Sequence, residues 1–263
     1  MKIAHENGIA FYRFRGLSAF PRVRHGITTR RGGDSRPPFE NFNLSRTVGD
    51  VPERVAANRR RVRLRFPDTR PVYLHQVHGR TVAVLDEGTQ LSDGHLPGRA
   101  DALVTAQPGW LLTILIADCQ PVMVFDPRQG VVANIHSGWR GSVANIAGRT
   151  VAVMAERFGC RPADMWAGVG PSLGPCCAEF VNYRKEIPEE LWSYRAPGDH
   201  FDFWALSRDQ LLQAGLQPAH IEIGGICTRC RSDLFFSYRA ARRTGRMGAF
   251  IGMASGLADA KGF

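Results

Sequence analysis

Three apolar runs in the middle of the chain, residues 110–116, 122–125 and 131–135, constrain the fold more than any other feature. Runs this short with almost no polar interruption read as buried strands, and each is bounded by an abrupt change of chemistry. Asp118, Cys119, Gln120 and Pro121 separate the first two, and His136 closes the third. Polar side chains between buried strands are costly unless paired or liganded, and Pro121 points to a strand break there. A further run, residues 71–77, places Val72, Leu74 and Gln76 on one face and ends at His78 and Gly79.

Around these strands the remaining signals are helical, extended or loop-like. Residues 25–45 read as a short strand followed by a Gly- and Pro-rich loop bearing Arg30 and Arg31, and loops of this length commonly carry function. Asp50, Val51 and Pro52 predict a helix start, with Asp50 as the capping acid and Pro52 in the first turn, running to about Arg65. Val143, Ile146, Ala147, Thr150, Val151 and Met154 keep a helical period across residues 142–158. A second helix is expected near residues 204–215, and strands at 165–169, 221–226, 234–238 and 247–253. Strands and helices do not alternate strictly, so the expected class is α+β, a mixed β-sheet core flanked by helices. With 263 residues, 44% of them hydrophobic, and no linker or repeat, a single catalytic domain spanning 1–263 is expected.

Residues 110–117 form the most apolar stretch, well short of the ~20 residues a membrane span needs, and the chain opens without the apolar stretch of a signal peptide. A soluble cytoplasmic protein is expected, with its six cysteines as thiols. The net charge of +10 raises nucleic acid as a partner, but the arginines are scattered and no aromatic-basic interleaving accompanies them. A small anionic substrate accounts for them equally well, so neither nucleic acid nor membrane is expected as a partner.

His78, Cys119 and His136 each close an apolar run. Two imidazoles and a thiolate are a ligand set for catalytic zinc, leaving one tetrahedral position open. Their separations, 41 and 17 residues, are too long for a zinc-finger loop, so the fold must assemble them from strand ends. The same residues suit copper, although the eight histidines include no His-x-His pair with which to build a multinuclear cluster. They also suit a metal-free cysteine hydrolase with Cys119 as nucleophile and His136 as base, and a non-catalytic binding protein stays open beside these. Cys227-Thr-Arg-Cys230 has the spacing of half a structural zinc site, which Cys176-Cys177 could complete; the alternative is ordinary buried thiols in a loop of small residues.

Several blocks in one order carry a resemblance: TTRRGG, FNLS, AANRR, LHQVHG, GRADALVT, IADCQPV, IHSGWRG, GPSLGPCCAEF, ICT, FFSYR and TGRM. The chain resembles the bacterial laccase-like polyphenol oxidoreductases, a YfiH-like family reassigned as zinc-dependent purine nucleoside phosphorylases, with a fold related to putative cysteine hydrolases. The resemblance implies zinc on His78, Cys119 and His136, leaving His75 structural, since a strand places residues three apart on opposite faces. It implies phosphorolysis of adenosine, guanosine, inosine and methylthioadenosine by inorganic phosphate, together with deamination of adenosine. A zinc ion with an open position lowers the pKa of water to about 7, which suits deamination. Phosphate must sit beside the ribose C1′, and Arg30, Arg59 and Arg140, with the helix N-terminus after SGWRG, are the candidates to hold it. Asp118 is expected to orient a ligand or act as a base, and Asn43 and Glu179 to contact substrate. The chain departs from the family pattern at residues 240–243, AARR, and at Ala178, where an aromatic is frequent. Both changes bear on the substrate pocket and leave the metal residues untouched.

Overall fold

The computed structural model describes residues 2–6 and 8–255. A seven-stranded sheet runs, edge to edge, β1 (Lys2–Glu6), β2 (Ile9–Arg13), β3 (Val23–Thr28), β15 (Met247–Met253), β8 (Trp110–Ile116), β4 (Arg70–His75) and β6 (His95–Arg99). A six-stranded sheet runs β14 (Ile221–Ile223), β11 (Trp166–Val169), β9 (Gln120–Asp126), β10 (Val131–Ser137), β7 (Ala102–Thr105) and β5 (Val82–Leu85). Both are mixed: β4 lies parallel to β8 and β6, β5 to β7, and β11 to β14, while the other pairs are antiparallel. A small ribbon, β12 (Arg195–Ala196) with β13 (His200–Phe201), lies apart from them.

The sheets pack face to face, and strand alternation decides what each side chain meets. Met123 and Phe125 of β9 and Val132 of β10 point into the space between the sheets, where they join Leu112, Ile114 and Ile251. Val122, Val124, Val131, Ala133 and Ile135 point the other way, onto α4 (Ile146–Phe158) and α6 (Phe203–Gln213). The outer face of the seven-stranded sheet is covered by α2 (Pro52–Arg65) through Val62, with Phe11, Phe66 and Phe250 alongside. Four layers result, and the central strands are apolar on both faces because both faces are buried. Asn134, on the inner face of β10, crosses between the sheets, donating from Nδ2 to the carbonyls of Leu112 and Ala249 at 2.8 Å each. Three short helices, α1 (Arg15–Ser18), α3 (Trp139–Val143) and α5 (Tyr183–Glu186), complete the α-helices among the described residues.

Several expected boundaries are corrected. The helix over 142–158 is two helices, α3 and α4, because Asn145 takes a left-handed conformation (φ 52°) and caps α4 through Gly148 N–H. The helix entered at SGWRG is therefore only five residues long and is not the start of a longer one. Asp50 does not cap α2; the N-cap is Val51, and Asp50 Oδ2 instead accepts from Ser35 Oγ and Asn43 Nδ2. Residues 234–238 are turn and irregular backbone, with Phe235 and Phe236 fully buried in the main core. The break around Pro121 is a change of sheet, since β8 and β9 belong to different ones.

One buried histidine has a pH consequence. His25 Nε2 accepts from the Phe14 backbone N–H at 3.0 Å, and burial, helped by Arg13, pushes its pKa down to about 4. The folded state therefore favours the neutral ring, whose contribution is complete above the ordinary value of 6.5 and is lost as pH falls toward 4. Two and a half pH units correspond to about 3 kcal/mol. His25→Gln, which keeps an acceptor and does not titrate, is expected to flatten the urea midpoint between pH 6.5 and 4; an unaltered acid slope would refute the assignment.

Candidate metal centre and cleft

Strands β4, β8 and β10 deliver the site from one end of the sandwich. β4 stops at His75, and the following turn carries His78 in a left-handed conformation (φ 59°). The strand expected to reach Val77 is therefore shorter, and His75 and His78 both line the same cleft. Cys119 lies in the link between β8 and β9, behind Asp118, whose φ is 88°. His136 is the penultimate residue of β10. The ligand atoms of His78, Cys119 and His136 lie within 4.8 Å of one another. Gly138 is packed against the group: a Cβ there would stand 2.8 Å from His78 Cδ2 and 3.2 Å from Cys119 Sγ.

Asp101, fully buried just before β7, organises this cluster. Its Oδ1 meets His136 Nδ1 at 2.8 Å and accepts from His78 N–H at 2.9 Å, while its Oδ2 accepts from Gly79 N–H at 2.7 Å. One carboxylate thus shapes the His78 turn and turns the His136 ring so that Nε2 is left for another partner. Burial pushes the Asp101 pKa up, but His136 and the backbone N–H groups outweigh it and hold the carboxyl below its usual range. Burial likewise opposes the charges of its neighbours, yet His136 and His78 pull the Cys119 thiol down to about 6. The Cys119 charge, with Asp101, raises His136 to about 9 against its own burial. An anionic sulfur beside two imidazoles, one oriented by a carboxylate, is a donor set that fits a divalent ion such as zinc.

The cleft above these residues encloses about 1060 Å³, ample for a ligand of nucleoside size. Arg59 and Arg140, both anticipated, line it together with Arg46, Arg239 and Arg246. Arg59 is half-buried, lies 3.9 Å over the Tyr73 ring and donates to the Leu44 carbonyl. Arg140 is exposed and lies 4.3 Å from the centre of the Trp139 ring. Arg246, set in the wall near the charges of Cys119 and Asp118, has its pKa lowered chiefly by burial. Asp118 also lines the cleft, yet both its oxygens are engaged, Oδ1 by the Thr228 hydroxyl and Oδ2 by the Arg239 N–H, each at 2.6 Å.

Arg30, Asn43 and Glu179 are not among the cleft-lining residues. Arg30 donates to the carbonyls of Glu40 and Ser232 and stacks on Phe236. Asn43 is fully buried, bonds Ser45 and Asp50 within its own loop and ties that loop to Arg246 just before β15. Glu179 is exposed, and its backbone carbonyl accepts from Arg239. Arg46, Asp101, Arg239 and Arg246 are what reading the sequence by residue type missed. Asp101, Arg239 and Arg246 stand inside the blocks GRADALVT, FFSYR and TGRM, and Arg46 directly follows FNLS; those blocks were the available signal.

Two mixed sheets closed over a cleft, with two imidazoles and a thiol at its floor, define a class of α+β protein. Residues 24–254 match the family described as multi-copper polyphenol oxidoreductase laccase, and the chain belongs to it. Relatives include purine nucleoside phosphorylase YlmD of Geobacillus stearothermophilus, 38% identical over 254 residues, covering 90% of this chain and 92% of that protein. Purine nucleoside phosphorylase YfiH of Escherichia coli is 34% identical over 236 residues, covering 85% and 91%. The crystal structure of YlmD from G. stearothermophilus superposes with a TM-score of 0.84 at 35% identity, over 96% of this chain and 99% of that one. That of a Bacillus licheniformis hypothetical protein, YfiH, gives 0.84 at 30% identity, over 95% and 98%.

Proposed function

We propose that this chain is a zinc-dependent purine nucleoside phosphorylase acting on adenosine, guanosine, inosine and methylthioadenosine, with adenosine deamination as a second activity of the same cleft. The observation that carries the reading is the meeting of His78, Cys119 and His136 within 4.8 Å beneath an arginine-rimmed cleft. Relatives named purine nucleoside phosphorylase, 34–38% identical, support it. In phosphorolysis a phosphate oxygen bonds to the ribose C1′ as the bond from C1′ to the purine nitrogen breaks, and the base departs with a proton. Positive charge develops at C1′, so an anion held close beside it stabilises the transition state. Arg46, Arg59, Arg140, Arg239 and Arg246 supply guanidinium groups for that anion. Asp118, with both oxygens occupied, acts by holding Thr228 and Arg239 in place. Zinc on the two imidazoles and the thiolate would supply a Lewis acid with an open position.

Copper is the other ion this ligand set accepts, and the family description names an oxidoreductase. Among the described residues no helix is long and apolar enough to cross a membrane. The proposed setting is the cytoplasm, where thiols such as Cys119 stay reduced.

Protein purified without chelators should carry zinc and release free base from inosine or adenosine only when phosphate is added, with ribose 1-phosphate formed in equal amount. Chromatography of the reaction and elemental analysis read both. Zinc-loaded protein that leaves all four nucleosides intact, or copper-loaded protein that oxidises phenols and cleaves none of them, would overturn the proposal.

A further inference from the structure

A second cluster of metal-ligating side chains lies outside the residues at the cleft floor. The sulfur atoms of Cys176, Cys177, Cys227 and Cys230 all lie within 4.8 Å of one another. Cys230 Sγ stands 3.5 Å from Cys176 Sγ and equally 3.5 Å from Cys177 Sγ. A disulfide brings its sulfurs to about 2.05 Å, and equal distances single out neither cysteine as Cys230's covalent partner. Four sulfurs at tetrahedral corners about 2.3 Å from an ion are about 3.8 Å apart, which is the spacing class seen here.

The two cysteine pairs come from loops that the backbone already fastens together. Ser172 N–H donates to the Ile226 carbonyl and Thr228 N–H to that of Ser172, a bridge that joins the two loops at Ser172 and Cys227. One pair is adjacent in sequence, and the other has the two-residue spacing common to zinc knuckles. Cys177 and Cys227 are buried, whereas Cys176 and Cys230 are exposed, which gives an ion a path from solvent.

We propose that Cys176, Cys177, Cys227 and Cys230 form a tetrathiolate site for a structural zinc ion, separate from the His78, Cys119 and His136 centre. Four sulfur ligands close the tetrahedron, leaving no open position for substrate, so the site is structural. Loading it replaces sulfur-bound protons with bonds to zinc and releases the protons to solvent, with no redox step. Its effect reaches the cleft through the wall it fastens. The Cys177 carbonyl accepts from Arg239, Thr228 holds Asp118, and Leu173 N–H donates to the Asp118 carbonyl beside Cys119.

The test separates the two centres by stoichiometry. Elemental analysis of the full chain purified with zinc and without chelator should find about two ions per chain, and about one in either His78→Ala or the double variant Cys176→Ser/Cys230→Ser. X-ray absorption at the zinc edge of His78→Ala should then show a shell of sulfur alone at about 2.3 Å. The double variant should also melt at a lower temperature than the parent, with a smaller further drop on adding chelator. Because both substituted cysteines are exposed, the fold should survive; if it does not, the sulfur shell in His78→Ala still decides. The proposal is overturned if His78→Ala holds no zinc, if nitrogen or oxygen dominates its shell, or if the intact mass of native protein shows a disulfide among these four.

Discussion

Asp101→Ala is expected to weaken metal binding at the cleft by about 100-fold or more and to lower nucleoside phosphorolysis at least as much. The side chain meets neither substrate nor ion; it acts through what it holds. Its oxygens accept from the backbone of Val77, His78 and Gly79 and fix the ring of His136, so two of the three candidate ligands are aimed by one carboxylate. Alanine leaves buried N–H groups without an acceptor, at about 1–3 kcal/mol for each that water cannot reach. The melting temperature should therefore fall as well. Asp101→Asn separates positioning from bulk stability, because it keeps the volume and one acceptor while the amide nitrogen cannot accept from Gly79. It should melt between the parent and Asp101→Ala yet lose zinc to a competing chelator at least 10-fold more readily. Asparagine binding zinc as tightly as the parent, with unchanged activity, would sink the positioning role.

How much of this was legible in the sequence depends on the kind of information each residue carries. His78, Cys119 and His136 were legible as candidates because each interrupts or ends a run that must be buried, and a polar ligand type in that place needs a partner, whereas their choice as one metal set rested on the family resemblance. The strands expected at 110–116 and 131–135 were legible for the same reason. Residues 234–238 show the limit of that reasoning: an apolar run records that Phe235 and Phe236 are buried, but a buried turn satisfies it as well as a strand does. Asn145 ends one helix and starts another through its own left-handed backbone, which the hydrophobic period of 142–158 cannot register. Asp101 stands one position before a buried strand, and its partners lie 22 to 35 residues away, so its role appears only once β4, β7 and β10 are brought together. The arginines were harder still. Composition records their number, whereas direction decides whether one lines the cleft, as Arg246 does, or braces a loop, as Arg30 does.

Cys119→Ser is expected to empty the cleft centre of zinc and reduce phosphorolysis by about 1000-fold or more, since a serine hydroxyl at neutral pH is a far weaker ligand than a thiolate. That loss alone leaves two roles for the sulfur. In the metal-free protein Cys119 is held down to about 6 and His136 up to about 9, so between those pH values the two form a thiolate and imidazolium pair. Below about pH 6 the sulfur takes up its proton, and above about pH 9 the ring loses its own. A cysteine hydrolase would use the same pair, with the sulfur attacking and the ring moving the proton. Cys119→Asp distinguishes the roles, because a carboxylate keeps an anionic ligand and cannot replace a sulfur nucleophile. If the thiolate is a ligand, the aspartate variant should regain zinc and a measurable part of the phosphorolysis, while serine regains neither. If it is the nucleophile, both variants should be equally dead, and chelated wild-type protein should turn over nucleoside as fast as the zinc form. Alkylation supplies an independent reading of the same contrast. Zinc should shield Cys119 from iodoacetamide, while the metal-free protein, with its thiolate formed above about pH 6, should react rapidly.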